Sequence, residues 1–275
     1  MLVIHTLRAQ VPCGHRYLAG INMERFNILS FEEIDSTNRY ALDNLLLLPD
    51  RQIILAERQT QGYGRLGRMW VSENPGNLYM SLILKPADTG VTSSNLSGLS
   101  LYMSVILCDL LDEYGVEASI KWPNDVLVRG AKIAGLLGEA VFQGDRLTGY
   151  VLGCGVNLNM GVEELESIDQ RATSLNIHMG KTVERYGFLD RLLQRFFFGY
   201  EHFLKRGFPS VRQAYEGRCA FLGREVIVKS MKSEYRGAAK GFTDRGELIL
   251  ETGEGEEQIL NSGDVQTVRL DSPTG

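Results

Sequence analysis

Arginines and glycines alternate in one short stretch of the chain, between two apolar runs. Gly62, Gly64 and Gly67 are interleaved with Arg65 and Arg68. Glycine permits backbone conformations that bring the chain close to a ligand, and the arginine guanidinium presents a planar set of donors that matches a carboxylate or a phosphate. Residues 62–68, the glycine–arginine loop, are therefore predicted to form a flexible cover over an anionic ligand.

A second polar group lies in a turn between two short predicted strands. Lys121 ends the first strand, and Asn124 and Asp125 follow it in the sequence Trp-Pro-Asn-Asp. Pro, Asn and Asp favour turns for local reasons, so the turn by itself has a structural explanation. A lysine, an amide and a carboxylate together also suit a triphosphate and its Mg²⁺. Lys132 opens the next strand and adds a fixed positive charge if it points into the same cleft.

The sequence Asp35-Ser36-Thr37-Asn38 precedes a helical pattern. Ser36 or Asp35 can cap that helix. Alternatively, the hydroxyls and N–H groups of the helix N-terminus hold a polar ligand. The sequence leaves both readings open, and Gln59, just before the glycine–arginine loop, does not decide between them.

The same loop fits the dinucleotide-binding pattern G-x-G-x-x-G at residues 62–67. That pattern requires a helix that starts inside the motif. Here the turn signal Asn74-Pro75-Gly76 follows closely, and no helix of ordinary length fits. We therefore reject an NAD-dependent oxidoreductase. A protein-kinase glycine loop is rejected too, because no H-R-D and no D-F-G sequence follows.

The composition predicts a globular enzyme without affinity for nucleic acid or membranes. The 275 residues carry a formal net charge of −5, so no global basic field attracts nucleic acid or anionic lipid. No run of about 20 apolar residues is present, as a membrane span requires. None of the four cysteines forms a C-x-x-C pair, which argues against a zinc or disulfide framework and favours the cytoplasm.

Apolar periodicity predicts strands and helices that position these residues. Strands are expected on both sides of the glycine–arginine loop and of the Trp-Pro-Asn-Asp turn. Long helices are expected at Leu99–Tyr114 and Val183–Lys205. Leu45–Leu48 is interpreted as a buried helix face, and residues 161–180 as a loop. From Arg218 onwards, short β runs separated by Gly, Asp and Asn predict a small barrel-like module, in which we identify no catalytic residue.

Taken in order, the motifs resemble those of one family, the biotin–protein ligases, also called biotin–[acetyl-CoA-carboxylase] ligases. The matching motifs are D-S-T-N at 35–38, Q-T-Q-G-Y-G-R-L-G-R-M-W at 59–70, N-L-Y-M-S at 77–81, K-W-P-N-D-V at 121–126, K-I-A-G-L-L-G-E at 132–139 and G-C-G-V-N-L-N at 153–159. The resemblance implies an α+β fold, with helices packed on a mixed sheet in a class II synthetase-like catalytic domain, followed by a small SH3-like β-barrel. The implied domains are a catalytic domain at residues 26–216, which binds biotin and ATP, and the β domain at residues 217–275. Residues 1–25 would be an extension of unknown role, with no room for a DNA-binding domain and hence no expected repressor function.

The reaction implied by the resemblance has two steps. Biotin and ATP give biotinyl-5′-AMP and pyrophosphate with the help of Mg²⁺. A lysine of a biotin carboxyl carrier protein or domain of acetyl-CoA carboxylase then takes the biotinyl group and releases AMP. Cationic groups must offset the repulsion between two anions, and a closing loop must exclude water from the reactive intermediate.

The resemblance also implies roles for individual residues. Lys132, Arg65 and Arg68 are expected to be catalytic, with Lys132 contacting both the biotin carboxylate and the α-phosphate. Asp125 is expected to serve the metal. The expected ATP-binding residues are Trp70, Lys121, Asn124 and Asn157. The expected biotin-binding residues are Ser36, Thr37, Asn38, Gln59, Gly62, Tyr63, Gly64, Arg65, Lys132, Gly135 and Leu137.

Two positions depart from the family pattern, and rival functions remain. Tyr63 stands where a frequent form of the loop has arginine, and Gly138 replaces a commonly larger residue. Lipoate–protein ligases share the catalytic fold, although the K-W-P-N-D motif favours biotin. A binding module that retains biotin without turnover is the alternative from a different class. The sequence leaves open whether the protein is a homodimer and which carboxylase is the acceptor.

Overall fold

A mixed sheet of seven strands forms the centre of the larger part of the chain. The structure is a computed structural model that describes residues 25–86, 95–96, 98–230, 233–253 and 255–267. The strands are β1 (Ile28–Ile34), β2 (Ile53–Gln59), β3 (Leu78–Leu84), β4 (Ser119–Lys121), β5 (Asp125–Val128), β6 (Ala131–Gln143) and β7 (Arg146–Val156). Their spatial order is β1-β2-β3-β7-β6-β5-β4. β1 is parallel to β2 and all other neighbours are antiparallel, which confirms the predicted mixed sheet.

Helices cover both faces of this sheet. They are α1 (Thr37–Asp43), α2 (Leu99–Glu113), α3 (Val162–Glu166), α4 (Leu175–Met179), α5 (Arg185–Arg206) and α6 (Arg212–Gly217). α2 and α5 pack on one face and α1 on the other. Every residue of β3 is therefore buried, which explains why this strand is apolar apart from Ser81.

The two long helices form where apolar periodicity predicted them. In α5 the apolar stripe includes Phe188, Leu192 and Phe196, each fully buried. The Glu184 carboxylate accepts from the Tyr186 N–H at 2.9 Å and so caps the helix start. Gly207, with φ of 65°, follows its last residue. Deleting one of these rings, as in Phe196→Ala, would cost about 3–5 kcal/mol of stability.

A second, antiparallel sheet follows α6. Its strands are β8 (Glu225–Lys229), β9 (Glu234–Phe242), β10 (Leu248–Glu251), β11 (Glu257–Leu260) and β12 (Asp264–Thr267), in the order β11-β10-β9-β8-β12. The predicted C-terminal β module is confirmed as a five-stranded sheet, with no pairing of β11 with β12 in the described part of the chain.

The second sheet shares its core with the first part of the chain. Phe242 packs edge-on against Phe208, with ring centroids 6.0 Å apart, and both belong to one hydrophobic cluster with α2 and α5. The Trp122 indole N–H donates to the Gly246 carbonyl at 2.9 Å. The β module is therefore fixed against the Trp-Pro-Asn-Asp turn.

Two sequence interpretations of secondary structure were wrong. α1 ends at Asp43, before the leucine run, because the backbone of Asn44 leaves the helical conformation, with φ of −108° and ψ of 9°. Leu45 is buried, whereas Leu46 and Leu47 are 69% and 85% exposed.

The segment 161–180, interpreted as a loop, contains α3 and α4. The Glu164 carboxylate accepts from the Gly161 N–H at 2.7 Å at the start of α3. Gly180, in the left-handed conformation with φ of 68°, caps the end of α4. Helices this short give too little periodicity for detection from sequence.

Of the predicted N-terminal extension, only Arg25 lies within the described residues. Among those residues, no helix has the length and apolar character needed to cross a membrane.

Candidate active site

One cleft brings together most of the residues that the sequence predicted to do chemistry. It lies between α1, the glycine–arginine loop, the β4–β5 turn and strands β6 and β7, and the start of β12 closes one side. The predicted site residues that line it are Ser36, Thr37, Asn38, Gln59, Tyr63, Gly64, Arg65, Arg68, Trp70, Lys121, Asn124, Asp125, Lys132, Gly135 and Leu137.

The inner end of the cleft is a buried network of hydroxyl and amide groups. The Thr37 N–H and hydroxyl both donate to Gln59 Oε1, at 2.8 and 3.0 Å. Ser81, on β3, lies 2.8 Å from the Thr37 hydroxyl and donates to Asn38 Oδ1 at 2.5 Å. Ser36 caps α1 by accepting from the Arg39 N–H at 3.4 Å. Its capping role is thus present, and the network places further polar groups beside it.

Glycines on β6 and β7 make a flat floor beneath Trp70. A Cβ on Gly155 would lie 2.6 Å from the indole, and one on Gly135 would lie 3.0 Å from it. Only glycine allows this close approach of the ring to the strand backbones. The buried indole N–H of Trp70 has no hydrogen-bond partner, so it is a donor that a ligand acceptor can satisfy.

Lys132 points into the cleft and pairs with Asp125. The distance from Lys132 Nζ to Asp125 Oδ1 is 2.7 Å, and the two side chains are 15% and 17% exposed. The same ammonium lies 5.2 Å from the centroid of the Trp70 ring. The backbone of Lys132 is fixed by hydrogen bonds with Arg171 and Thr173. The ammonium is thus positioned by the Asp125 carboxylate and the Trp70 ring, and the backbone of Lys132 by its hydrogen bonds.

The glycine–arginine loop folds over the cleft through a bridge between Tyr63 and Met69 and a short 3₁₀ turn at Arg65–Gly67. Arg65 reaches Asn124 Oδ1 at 3.4 Å and the Gly263 carbonyl at 3.3 Å. Burial lowers the pKa of the Arg65 guanidinium, and the Asp125 and Asp264 carboxylates oppose this shift. Arginine remains charged at any physiological pH.

Asp264, at the start of β12, forms ion pairs with two further cationic side chains. Lys121 Nζ lies 2.6 Å from its Oδ1, and both terminal nitrogens of Arg68 lie 3.4 Å from its Oδ2. Burial opposes ionisation of this carboxyl, but the hydrogen bonds and charges of Lys121 and Arg68 outweigh it, so the pKa of Asp264 is lowered. Sequence analysis missed Gly263 and Asp264, because a lone acidic residue after a turn in a β module carries no local signal.

The structure gives a physical account of both departures from the family pattern. The Tyr63 hydroxyl donates to Glu139 Oε2 at 3.2 Å, and burial followed by the Glu139 charge raises the pKa of Tyr63 to about 12. At Gly138, an added Cβ would lie 1.6 Å from the Tyr150 hydroxyl. Tyr150 therefore fills the space that a larger residue at this position would take.

Two predicted site residues are not among those lining the cleft. Asn157 is 3% exposed and its amide donates to the Thr173 carbonyl at 3.0 Å. Gly62 packs against the segment after the loop, where a Cβ would lie 2.5 Å from the Ser72 hydroxyl. Both positions lie behind the residues that form the surface of the cleft.

Family models match both parts of the chain. The model described as "Biotin/lipoate A/B protein ligase family" matches residues 30–157, and "Biotin protein ligase C terminal domain" matches residues 221–267. The second match covers the β module that contributes Asp264.

Known proteins resemble the chain over most of its length. A biotin–[acetyl-CoA-carboxylase] ligase of Paracoccus denitrificans is 32% identical over 84% of this chain and 96% of its own length. One of Mycobacterium tuberculosis is 30% identical over 80% of each. The bifunctional ligase/repressor BirA of Bacillus subtilis is 30% identical over 78% of this chain, but the match spans only 66% of BirA. A solved biotin protein ligase of Aquifex aeolicus, in complex with biotin and ATP, superposes with a TM-score of 0.74 at 29% identity, covering 88% of this chain and 99% of that one.

Proposed function

This chain belongs to the biotin–protein ligase family, and from that premise we propose that it activates biotin with ATP and transfers the biotinyl group to a lysine of a carrier domain of acetyl-CoA carboxylase. One observation carries the proposal. Lys132, Arg65, Lys121 and Arg68 converge on a single cleft that has a polar inner end and a glycine floor. That arrangement suits a ligand with a polar ring system and a carboxylate, next to a polyphosphate.

The inner end of the cleft receives the ring system of biotin. Its ureido group needs both donors and acceptors, and the buried groups of Thr37, Asn38 and Gln59 supply both kinds. Gly135 and Leu137 on β6 form the wall beside the ring. A lipoate ring has no such polar group, so it could not form hydrogen bonds with the amides and hydroxyls at the inner end. The loss of these contacts favours biotin over lipoate as the substrate.

In the first step, a carboxylate oxygen of biotin attacks the α-phosphorus of ATP. The new bond joins the carboxylate oxygen to that phosphorus, while the bond to the bridging oxygen breaks and pyrophosphate leaves with its electrons. Lys132 and Arg65 bring the two anions together and stabilise the negative charge that grows on the phosphoryl oxygens. Trp70 and Asn124 serve the adenine and phosphate side of the cleft.

Asp125 would hold Mg²⁺ together with the phosphates of ATP. Within the described residues, no group of three or more His, Cys, Asp or Glu side chains could hold a metal ion. Mg²⁺ commonly keeps several waters and takes only one or two carboxylates plus substrate phosphates. The single carboxylate of Asp125 therefore fits an ion that enters with ATP, and the ion would supply neutralisation of phosphate charge.

In the second step, the uncharged ε-amine of the acceptor lysine attacks the acyl carbon of biotinyl-5′-AMP. The bond from that carbon to the phosphate oxygen breaks, AMP leaves, and the amine gives up a proton as the amide forms. The glycine–arginine loop keeps water from the intermediate until the acceptor arrives. Arg65 and Arg68 hold the loop closed through the adenylate phosphate and through Gly263 and Asp264.

We divide the chain into a catalytic domain at 26–216 and a β domain at 217–275, preceded by the extension 1–25. The β domain takes part in the site, since Asp264 contacts Lys121 and Arg68. A module that only binds biotin would not need four cations around the nucleotide side of the cleft, so we favour an enzyme.

The proposal is tested by isotope exchange between pyrophosphate and ATP in the presence of Mg²⁺. We expect exchange that depends on biotin and not on lipoate or octanoate. Exchange that depends on lipoate would refute the substrate, and absence of exchange with a folded protein that binds biotin would establish the binding module instead.

The cellular setting and assembly follow from the same proposal. We place the enzyme in the cytoplasm, where buried free thiols such as Cys108 and Cys154 stay reduced. A homodimer is proposed because Leu46 and Leu47 expose apolar surface after α1. Sedimentation equilibrium of the wild type and of Leu46→Ser/Leu47→Ser decides this point: a monomer at all concentrations in the wild type refutes the dimer.

A further inference from the structure

Glu139, on β6, links the glycine–arginine loop to the first turn of α1. Its Oε2 accepts from the Asn38 amide at 2.8 Å and from the Tyr63 hydroxyl at 3.2 Å. One carboxylate oxygen thus receives a donor from the inner end of the cleft and a donor from the loop. The function proposed above assigns no role to Glu139.

Glu139 fixes the orientation of the Asn38 amide together with the Leu137 carbonyl, which accepts from the same Asn38 nitrogen at the longer distance of 3.4 Å. An ionised carboxylate accepts hydrogen bonds but cannot donate them. The Asn38 nitrogen must therefore face Glu139, and the Asn38 oxygen must face Ser81. Asn38 is 5% exposed, and Gly153 leaves just enough room for it, since a Cβ there would lie 2.3 Å from Asn38 Oδ1. If the amide turned over, its NH₂ group would face the Ser81 hydroxyl and its oxygen would face a carboxylate.

Glu139 also anchors the loop at Tyr63 without help from a bound anion. The Tyr63 hydroxyl is protonated at physiological pH, because even the ordinary pKa of tyrosine lies well above neutral and burial beside Glu139 raises it further. Arg39 on α1 lies over the same ring, 5.8 Å from its centroid. Further along the chain, Leu66 in the loop and Met69 just after it are 65% and 81% exposed. The start of the loop is therefore fixed to the sheet and to α1, whereas the far end makes its polar contacts through Arg65 and Arg68.

We propose that Glu139 is a positioning residue, which holds the Asn38 amide and Tyr63 together so that the biotin end of the site is assembled before ATP binds. This inference takes biotin as the ligand from the proposed function, whereas the contacts of Glu139 with Asn38 and Tyr63 do not depend on that function. Glu139 has no contact with Lys132 or Arg65 among its hydrogen bonds. Its loss should therefore weaken biotin binding and loosen the loop, with little effect on the chemical step.

The test compares Glu139→Ala, Tyr63→Phe and the double variant with the wild type. Glu257→Ala, at an exposed position on β11, is the matched control. Hydrogen exchange of the amides at 60–70 is measured in the ligand-free protein. We expect faster exchange in both single variants and little further change in the double variant, because both changes break the same link. The control should exchange as the wild type does.

Kinetics provide the second measurement. The loss of the hydrogen bond to Glu139 should raise the KM for biotin by about tenfold in Glu139→Ala, while kcat for adenylation stays within about twofold. Tyr63→Arg should keep the loop protected from exchange, because arginine can pair with Glu139. A fall in kcat without a change in KM would overturn the proposal, and so would unchanged exchange of the loop or additive effects in the double variant.

The two proposals fail in different ways. If the wild type shows no biotin-dependent exchange between pyrophosphate and ATP, the proposed function fails. The hydrogen-exchange experiment still shows whether Glu139 holds the loop at Tyr63. If the wild type is active and the loop of Glu139→Ala remains protected from hydrogen exchange, only the role of Glu139 fails.

Discussion

Lys132→Ala separates the proposed catalytic role of this lysine from its structural one. The Lys132 ammonium is 2.7 Å from Asp125, and both side chains are mostly buried. Removing one preorganised charge from a developing anion typically costs about 10²–10³ in rate, or about 2.7–4 kcal/mol. We therefore expect biotinyl-AMP formation to slow by at least about a hundredfold.

The same change affects stability, because it leaves the Asp125 carboxylate without its partner. Breaking a fully buried pair costs about 3–5 kcal/mol, and an exposed pair contributes about 1 kcal/mol or less. At 15% and 17% exposure, we expect an intermediate loss of about 1–3 kcal/mol in the free energy of unfolding. The double variant Lys132→Ala/Asp125→Ala should regain part of this stability and none of the activity.

The assay is single-turnover formation of biotinyl-AMP, with chemical denaturation of the same samples as the measure of stability. Near-normal adenylation by a folded Lys132→Ala would refute the assigned role. Recovery of activity in the double variant would show that the lysine acts only by neutralising Asp125.

Three further changes test other parts of the site. Arg65→Gly should release biotinyl-AMP from the closed loop, so that lysines of a bystander protein become labelled; labelling of the carrier alone would contradict this. Asp264→Asn should weaken ATP binding by freeing Lys121 and the β domain, measured as a rise in the KM for ATP of roughly tenfold, and an unchanged KM would exclude the contact from function. The pKa of Asp264 is lowered in the folded state, so its contribution to stability is present above its ordinary pKa and is lost as the pH falls through the lowered value. The denaturation curves of the wild type and Asp264→Asn should therefore converge in acid. A difference in stability that stays constant with pH would refute the linkage. Gly155→Ala should displace Trp70 from the floor of the cleft and reduce its fluorescence change on ligand addition, because the added methyl group would lie 2.6 Å from the indole; an unaltered response would argue against the close packing.

Local patterns predicted the elements that carry the motifs, and they did so for physical reasons. β3 is apolar apart from Ser81 because it is covered on both faces, and the Trp-Pro-Asn-Asp turn follows from residues that favour turns. The spacing of large side chains in α2 and α5 reflects a helix with one buried side. The position of Lys132 at a strand start was visible, but only the pairing of β5 with β6 places it beside Asp125.

Contacts between distant segments could not be derived from the sequence. Asp264 meets Lys121 across 143 positions of the chain, and Glu139 meets Asn38 across 101. Such pairs depend on how β12 and β6 pack, and no short window of sequence contains that information. The space taken up by Tyr150 opposite Gly138 is hidden for the same reason, although the departure itself was evident.

The contacts of Arg65 with Gly263 and of Arg68 with Asp264 have a consequence for inhibitor discovery. A compound that fills the proposed nucleotide side of the cleft would touch both parts of the chain at once, and its binding would stabilise the contacts between them. Thermal melting in the presence of such a compound should rise as one cooperative transition, including signals from β8 to β12. Fragments that bind only at the inner end would raise the melting temperature of the second sheet less than that of the first. This difference gives a simple screen for ligands that bridge the two parts of the chain.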